Sequence, residues 1–354
     1  MTARPRGQIK DSMNRLLVRP IGSDVLEAWD DLVSASDTGS VFHTNAWLLA
    51  VERTRDTQLL RLGAYLDDEL VGILPVFRER RRGIRLISTP PPRTAIPWLG
   101  PLRRSQPEES GRAAEAAWLE LTRGLAHFLT AEIDADAISV KGVLPFGSSR
   151  GFTWEGFEAF PSFTYEIDLS RTAEDIQRSF SSNVRRNIRR CEKRGYEFHP
   201  ATDDDVLRIY RHIVARYKEQ GRPSPYSQEY LERLWTTVDR KHLTGFVVRD
   251  GSEYLTGMLC TVFKGRVSFW SGLPRVVKDR AFVNDFFHWH LMLWAKARGC
   301  STYDMVGANT ALIARYKSKF APRLVPYYRL VSDTWKGRLA RWTYGRVRSR
   351  LSRP

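Results

Sequence analysis

The sequence predicts an α/β (α+β) protein built from two similar halves, each with a mixed sheet flanked by helices. Three observations predict this fold class. The chain has 354 residues, which suits two domains at about 150 residues each. Each half contains three strand-like runs joined by tight turns. Each of these meanders is followed by a helical run and then by another strand.

The first half begins with two helical runs, in which apolar residues recur every three or four positions, at 25–33 and 45–55. Turn residues at 37–40 separate them. The remaining elements of this half are three strands at 60–65, 70–78 and 83–89, an amphipathic helix at 108–130 and a strand at 137–140.

The second half starts with more helix and then repeats the order. Its predicted helices lie at 173–195, 203–220, 228–238, 282–298 and 310–320. Its predicted strands lie at 243–249, 255–263, 267–271, 301–306 and 324–331.

The two meanders can be aligned with each other. They share strand lengths, an acidic turn at the first hairpin, and a glycine near the start of the middle strand, Gly72 or Gly257. An internal duplication is therefore predicted, with chance similarity between hairpins as the alternative.

The charge of the chain points to anionic partners. Lys and Arg number 56 against 40 acidic residues, a net charge of +16. Such an excess attracts tRNA, anionic lipid, nucleotide-linked substrates or acidic polymers, although a basic surface that only aids solubility is the alternative.

Cysteine and histidine spacing indicates neither a disulfide framework nor a metal site. Cys191, Cys260 and Cys300 lie far apart, so reduced, buried thiols are expected. His288 and His290 fall on different faces of one helix, which is unsuited to zinc, and no cofactor is expected.

The two ends of the chain are both basic. Residues 1–18 are polar and Arg-rich, and no run of about eighteen apolar residues occurs, so a cytoplasmic protein is expected. Residues 335–354 carry seven cations and no acid, interleaved with aromatic residues. This tail is predicted to contact an anionic membrane peripherally or to bind RNA, with a solubilising tail as the alternative.

Three stretches carry a resemblance to a known family. They are "FHTNAWLLAVE" at 42–52, "SFSSNVRRNIRRCEKRGYEF" at 179–198 and "YDMVGANTALIARYKSKFAP" at 303–322. Together they resemble the FemABX family and the related FemAB-like and BioF2-like acyltransferases, which have two GNAT-like domains. The resemblance implies GNAT-like domains at 1–155 and 156–334, the second being the acyltransferase domain, followed by the basic tail.

The resemblance also implies an activity. An N-acyltransferase would move an aminoacyl or acyl group from aminoacyl-tRNA or acyl-CoA to an amine of a cell-envelope or polysaccharide precursor. A monomer is expected on a separate ground, since two such domains would already cover each other. One alternative is an acyl-CoA-dependent GNAT N-acetyltransferase. Another is a non-enzymatic basic module that binds RNA or membrane.

Two residues are the catalytic candidates. Acyl transfer to an amine develops negative charge on the carbonyl oxygen, which a fixed cation stabilises. Lys317, in the pair Tyr316-Lys317 that resembles the family's Phe-Lys, is predicted to supply this cation, with a helix-surface lysine as the alternative. Asp304 is predicted either to accept a proton or to hold a loop.

The remaining site predictions concern binding. Residues near Lys317 are assigned to the donor: Arg315, Tyr316, Lys319 and Phe320. Residues assigned to the acceptor are Trp47, Arg185, Asn187, Arg189 and Tyr303. Arg185 is the first candidate for a substrate anion and Arg189 the second, with a solvated basic face as the alternative. For Trp47 the alternative is a place in the core.

The sequence departs from acyl-CoA-binding GNAT proteins in one motif. These proteins cradle pyrophosphate with the backbone of an Arg/Gln-x-x-Gly-x-Gly/Ala turn, which is missing from 271–284 and from 88–101. In the first of these stretches, Arg275, Lys278 and Arg280 would have to contact phosphate through their side chains. The departure weighs against ordinary acetyl-CoA use.

Overall fold

The computed structural model describes residues 16–22, 25–106, 108–143, 148–272, 282–340 and 342. Its strands are β1 Leu17–Pro20, β2 Gln58–Leu66, β3 Glu69–Arg81, β4 Ile84–Thr89, β5 Leu102–Arg103, β6 Ala137–Gly142, β7 Glu158–Asp168, β8 Glu197–Pro200, β9 Leu243–Asp250, β10 Glu253–Phe263, β11 Arg266–Gly272, β12 Thr302–Asp304 and β13 Arg323–Asp333. Its helices are α1 Leu26–Ala35, α2 Asn45–Thr54, α3 Gly111–His127, α4 Arg150–Trp154, α5 Ala173–Ser179, α6 Ser182–Lys193, α7 Asp203–Glu219, α8 Gln228–Thr237, α9 Val283–Lys296 and α10 Ala311–Lys317.

The strands form one mixed sheet, and its order has internal symmetry. The order is β1-β2-β3-β4-β6-β13-β7-β12-β11-β10-β9-β8, with β5 added beside β3. In each half an antiparallel meander ends beside a parallel strand: β4 pairs with β6, and β11 with β12. The central strands β13 and β7 pair antiparallel, and each also borders the parallel strand of one half. The predicted α/β fold class is confirmed.

Helices cover both faces of the sheet in three apolar clusters. One cluster joins α1 and α2 of the first half to α7 and α8 of the second. A second packs α6 and α9 against the second half, and a third packs α3 against the first half. The first cluster and the continuous sheet both tie the two halves together.

The paired glycines of the meanders lie where a helix crosses the sheet closely. A Cβ at Gly72 would lie 2.5 Å from Leu121 Cδ1 on α3. A Cβ at Gly257 would lie 2.6 Å from Ile209 Cγ1 on α7. Both positions therefore need the smallest residue, since extra volume in a packed core forces its neighbours apart.

The predicted helix at 173–195 is interrupted. Phe180 has an extended backbone, with ψ of 152°, and separates α5 from α6. Ser181 then caps α6 by accepting a hydrogen bond from the Val184 N–H. Beyond this break, Val184, Ile188 and Cys191 are buried as the predicted stripe requires.

Strand β7 was missing from the predicted elements, although it lies at the centre of the sheet. Its sequence contains Pro161, which lacks a backbone N–H and is typical of edge strands. In the structure Pro161 lies opposite Tyr328 of β13.

The structure also bears on the predictions made for the cysteines and for membrane-spanning segments. Cys191, Cys260 and Cys300 are buried and free, as expected. Within the described ranges, every helix is too short or too polar to cross a bilayer.

Candidate active site

A cavity of about 90 Å³ lies between the two halves of the molecule. The first half contributes the loop 37–42 and Trp98, and the second contributes residues of β7, β10, β11 and β13. The polar side chains on its second-half wall include Thr164, Glu166, Arg266, Ser268 and Tyr327. The predicted catalytic Asp304 lies beside this wall, in the strand between Glu166 and Ser268.

Asp304 is fully buried and only partly hydrogen-bonded. Its Oδ1 accepts hydrogen bonds from Thr164 Oγ1 at 2.7 Å and from the Val306 N–H at 2.8 Å. Its Oδ2 has no hydrogen-bond donor among the described residues, and Arg266 Nη1 lies 3.6 Å away as an ion pair. Burial raises the pKa of Asp304, while Arg266 acts in the opposite direction.

A second carboxylate stands next to Asp304 and was not predicted. Glu166 accepts a hydrogen bond from Arg266 Nη1 at 2.5 Å and another from Arg323 Nη2 at 2.9 Å. Because β7 was not predicted from the sequence, neither Glu166 nor Thr164 could be placed beside Asp304. A period-two pattern of Phe163, Tyr165 and Ile167 was the available indication of this strand.

Lys317 is buried beneath the loop that follows Asp304. Its side chain donates to the backbone carbonyls of Met305, Val306 and Gly307, at 2.5, 2.6 and 2.9 Å from Nζ. The residue is 5% exposed, so the alternative of a helix-surface lysine is wrong. Burial lowers the pKa of Lys317 to about 8, opposed by the carboxylate of Asp304.

The loop that Lys317 contacts has an unusual backbone. Val306 and Gly307 have φ values of 48° and 81°, in the left-handed region that a β-branched residue rarely adopts. The hydrogen bonds from Lys317 Nζ to the three carbonyls stabilise this turn. Lys317 and Asp304 thus bind the same loop. Lys317 donates hydrogen bonds to its backbone carbonyls, and Asp304 accepts one from the Val306 N–H.

An aromatic cluster surrounds His288 next to Lys317. His288 Nδ1 lies 2.5 Å from the Tyr303 hydroxyl, and its ring packs against Tyr316 and Phe320. Burial, with Lys317 nearby, lowers the pKa of His288 to about 3, so the imidazole is neutral at physiological pH. Tyr303 and Phe320 are fully buried, which puts these predicted binding residues in the core.

A partly buried hydrogen-bond network joins three helices beside this cluster. Asp285 on α9 accepts hydrogen bonds from Asn187 on α6, at 2.6 Å, and from the Tyr316 hydroxyl on α10, at 3.1 Å. Burial raises the pKa of Asp285. The structure therefore brings together Asn187 and Tyr316, which were assigned to different substrates, and adds Asp285, which sequence analysis missed.

The outer face of α6 carries a dense positive charge. Five cations line a shallow depression there: Arg186, Arg189, Arg190, Lys193 and Arg194. None of them pairs with a carboxylate in the part of the chain that the structure describes. Arg185 differs, because its Nη1 donates to the carbonyls of Arg178 and Phe180 and fixes the corner between α5 and α6. Arg189 is thus the more available of the two predicted anion ligands.

Three further predicted residues lie apart from this site or at its edge. Trp47 is completely buried and donates from Nε1 to the Tyr230 hydroxyl at 2.8 Å, so it occupies the core position named as its alternative. Arg315 is exposed, and Lys319 lies over the ring of Tyr316. The predicted phosphate contacts Arg275, Lys278 and Arg280 lie outside the described residues.

Comparison with known proteins identifies the type of domain. Residues 178–318 match the family model of an acetyltransferase (GNAT) domain. The match runs from the end of α5 to the residue after Lys317, and so contains α6, α9 and α10. No curated protein sequence matches the chain.

Several solved structures share the fold over most of the chain. FemX is 13% identical, with a TM-score of 0.64, and the alignment covers 88% of this chain and 96% of that one. L-PGS from Bacillus licheniformis is 14% identical, with a TM-score of 0.55 and coverage of 88% and 92%. A tandem GNAT protein from the clavulanic acid biosynthesis pathway is 11% identical, with a TM-score of 0.51 and coverage of 90% and 98%. With these folds and the domain match at 178–318, the protein is an acyltransferase of GNAT-like fold.

Proposed function

We propose that the protein is a FemAB-like N-acyltransferase that moves an aminoacyl or acyl group to an amine of a cell-envelope or polysaccharide precursor. The acetyltransferase domain match supports acyl transfer. The fold shared with FemX and with the C-terminal domain of a putative lysylphosphatidylglycerol synthetase from Agrobacterium fabrum supports an acceptor from the cell envelope. The match also favours an enzyme over a non-enzymatic basic module.

The observation that carries the proposal is the environment of Asp304 Oδ2. An amine that attacks a carbonyl must lose a proton, and a carboxylate accepts it better when its pKa is raised towards neutrality. Asp304 Oδ2 is a buried acceptor without a hydrogen-bond donor among the described residues, and burial raises the pKa of its carboxyl group. We assign this oxygen the role of proton acceptor, with Glu166 and Ser268 lining the adjoining cavity.

Lys317 supplies the positive charge in this proposal. A preorganised cation in a site of low dielectric stabilises the oxyanion of acyl transfer more than it would in water. All three N–H bonds of Lys317 point at carbonyl oxygens of the loop 305–307. Lys317 can therefore contact the oxyanion directly only if the substrate oxygen replaces one of these carbonyls. The positive charge of Lys317 acts at the site without such a replacement.

The acceptor is proposed to bind along α6. Its phosphate or carboxylate group would contact the cations on the outer face of α6, with Arg189 as the predicted ligand. The donor is either aminoacyl-tRNA or acyl-CoA. Calorimetry separates the two, because micromolar binding of CoA supports acyl-CoA, whereas its absence supports aminoacyl-tRNA. A monomer stays a prediction.

The test is a transfer assay with Asp304→Asn. The full-length protein is incubated with labelled aminoacyl-tRNA or acyl-CoA and amine-bearing envelope precursors, and the product is measured. The variant keeps the shape of the side chain but accepts a proton poorly, so we expect kcat to fall by about a hundredfold or more. The control is Asp204→Asn, an exposed aspartate on α7, which should leave kcat unchanged. Equal turnover in both variants would remove Asp304 from the mechanism, and a folded wild-type protein without transfer would refute the proposed function.

A further inference from the structure

The chain continues after β13 into a short C-terminal helix, defined here as residues 335–340 with Trp342. Thr334 caps it, since its Oγ1 accepts a hydrogen bond from the Gly337 N–H at 3.3 Å and its carbonyl accepts one from the Arg338 N–H at 2.9 Å. Thr334 also donates from its backbone N–H to the carbonyl of Asp136 at 2.9 Å. The start of the C-terminal helix is thus fixed to the body of the protein.

One side of the C-terminal helix packs closely on the sheet. Gly337 is buried, and a Cβ at this position would lie 2.0 Å from the Asp136 carbonyl oxygen. At 3.6 residues per turn, Trp335, Leu339 and Trp342 fall within an arc of about 60° on the side opposite Gly337. These side chains are 65%, 53% and 54% exposed, respectively. The helix therefore presents an apolar stripe away from the protein.

The charge around this stripe is positive. Lys336 and Arg338 flank it on its two sides, and the sequence from 335 to 354 contains seven cations and no acid. Two acids near the base of the helix, Asp134 and Asp136, both pair with Arg85.

We propose that the C-terminal helix is a docking surface for an anionic lipid bilayer. Trp side chains favour the interface between lipid headgroups and hydrocarbon, and a stripe of this kind flanked by cations is typical of helices that lie in the membrane plane. The excess of positive charge repels a second copy of the chain and attracts anionic lipid. The proposal is independent of the acyl-transfer chemistry.

The test is flotation of the full-length protein with vesicles. Wild-type protein should bind vesicles of phosphatidylglycerol and phosphatidylcholine in equal parts, and bind phosphatidylcholine alone far less. Replacing Trp335, Leu339 and Trp342 by Ser should weaken binding by about tenfold or more, because their apolar surface is lost. Lys336→Gln and Arg338→Gln should each weaken binding about fivefold on the anionic vesicles.

The matched control is Trp154→Ser on α4, which removes an equally exposed tryptophan, 59% accessible, from another surface. It should bind vesicles like the wild type, and thermal unfolding shows whether each variant is folded. Absence of wild-type binding to anionic vesicles, or equal loss in Trp154→Ser and the triple variant, would overturn the proposal. Sedimentation gives a further contrary outcome. The proposal would also be overturned if the wild type did not bind vesicles but formed a dimer that the triple variant abolished and Trp154→Ser kept.

Discussion

At the scale of single residues, Lys317 has an unusual side chain, because it is buried and cationic and donates hydrogen bonds to three backbone carbonyls. An unsatisfied buried carbonyl costs about 1–3 kcal/mol, so the three hydrogen bonds matter for the loop as well as for chemistry. Its pKa of about 8 means that Lys317 carries its charge at neutral pH and loses it in mildly alkaline solution. The charge is therefore open to test by pH.

We predict an alkaline loss of activity that depends on Lys317. Because burial lowers its pKa, Lys317 is protonated below about pH 8 and neutral above it, so wild-type kcat/KM should fall as the pH rises through about 8. Lys317→Met should be slow at every pH and should lack this alkaline limb. Its free energy of unfolding should also drop by about 2–4 kcal/mol, because three buried carbonyls lose their donor.

The control for this prediction is Lys218→Met, an exposed lysine on α7. It should keep both the wild-type rate and the alkaline limb. An unchanged alkaline limb in Lys317→Met would show that another group titrates there.

Sequence analysis could name Lys317 and Asp304 but not their surroundings. Both lie in one stretch of twenty residues whose pattern resembles a family, so local spacing was sufficient. Asp285 and Glu166 are brought to the site from α9 and β7, which only the tertiary fold determines. For the same reason, Trp47 was assigned to the acceptor although its indole bonds Tyr230, 183 residues further along the chain.

At the scale of elements, the close approach of a helix to the middle strand of each meander is a packing constraint that the two halves share. We predict that Gly257→Ala lowers the free energy of unfolding by about 1–3 kcal/mol. The added methyl would lie 2.6 Å from Ile209 Cγ1 and 2.8 Å from the Tyr254 hydroxyl oxygen, so α7 must shift. Denaturant unfolding followed by circular dichroism measures the change.

A second glycine provides the matched control. Gly111 begins α3, and a Cβ there would meet nothing within 4 Å, so Gly111→Ala should be neutral or slightly stabilising. Similar losses at both positions would mean that the approach of α7 is not the cause.

Element prediction succeeded where the pattern was local. The hairpin turn at 67–68 was expected from its acidic residues, and Asp67 and Asp68 indeed adopt left-handed φ values of 49° and 63°. It failed at Phe180, because a buried apolar residue at helical spacing carries no indication that its own backbone is extended. Pro161 hid β7 in a similar way, because proline is unusual in the centre of a sheet.

At the scale of the whole molecule, the two halves are joined by their last strands. β13 comes from the end of the chain, yet six of its residues, 328–333, pair with β6 of the first half. Leu330 of this strand is fully buried in the cluster around α3. The repeated strand order was foreseeable from the aligned meanders, but this pairing was not, because it depends on contacts nearly two hundred residues apart.

This topology predicts that the chain unfolds as one unit, although its length would allow two independent domains. Residues 156–334, the predicted second domain, would keep β13 but lose β6, exposing its backbone edge and the side chain of Leu330. An unpaired apolar edge of this kind favours aggregation. We therefore expect this fragment to be insoluble alone, and to be recovered in a soluble complex when residues 1–155 are co-expressed.

In calorimetry the full chain should show a single transition, with the calorimetric enthalpy equal to the van't Hoff enthalpy. Two separate transitions, or a folded, monomeric 156–334 fragment, would show that the shared strands do not couple the halves.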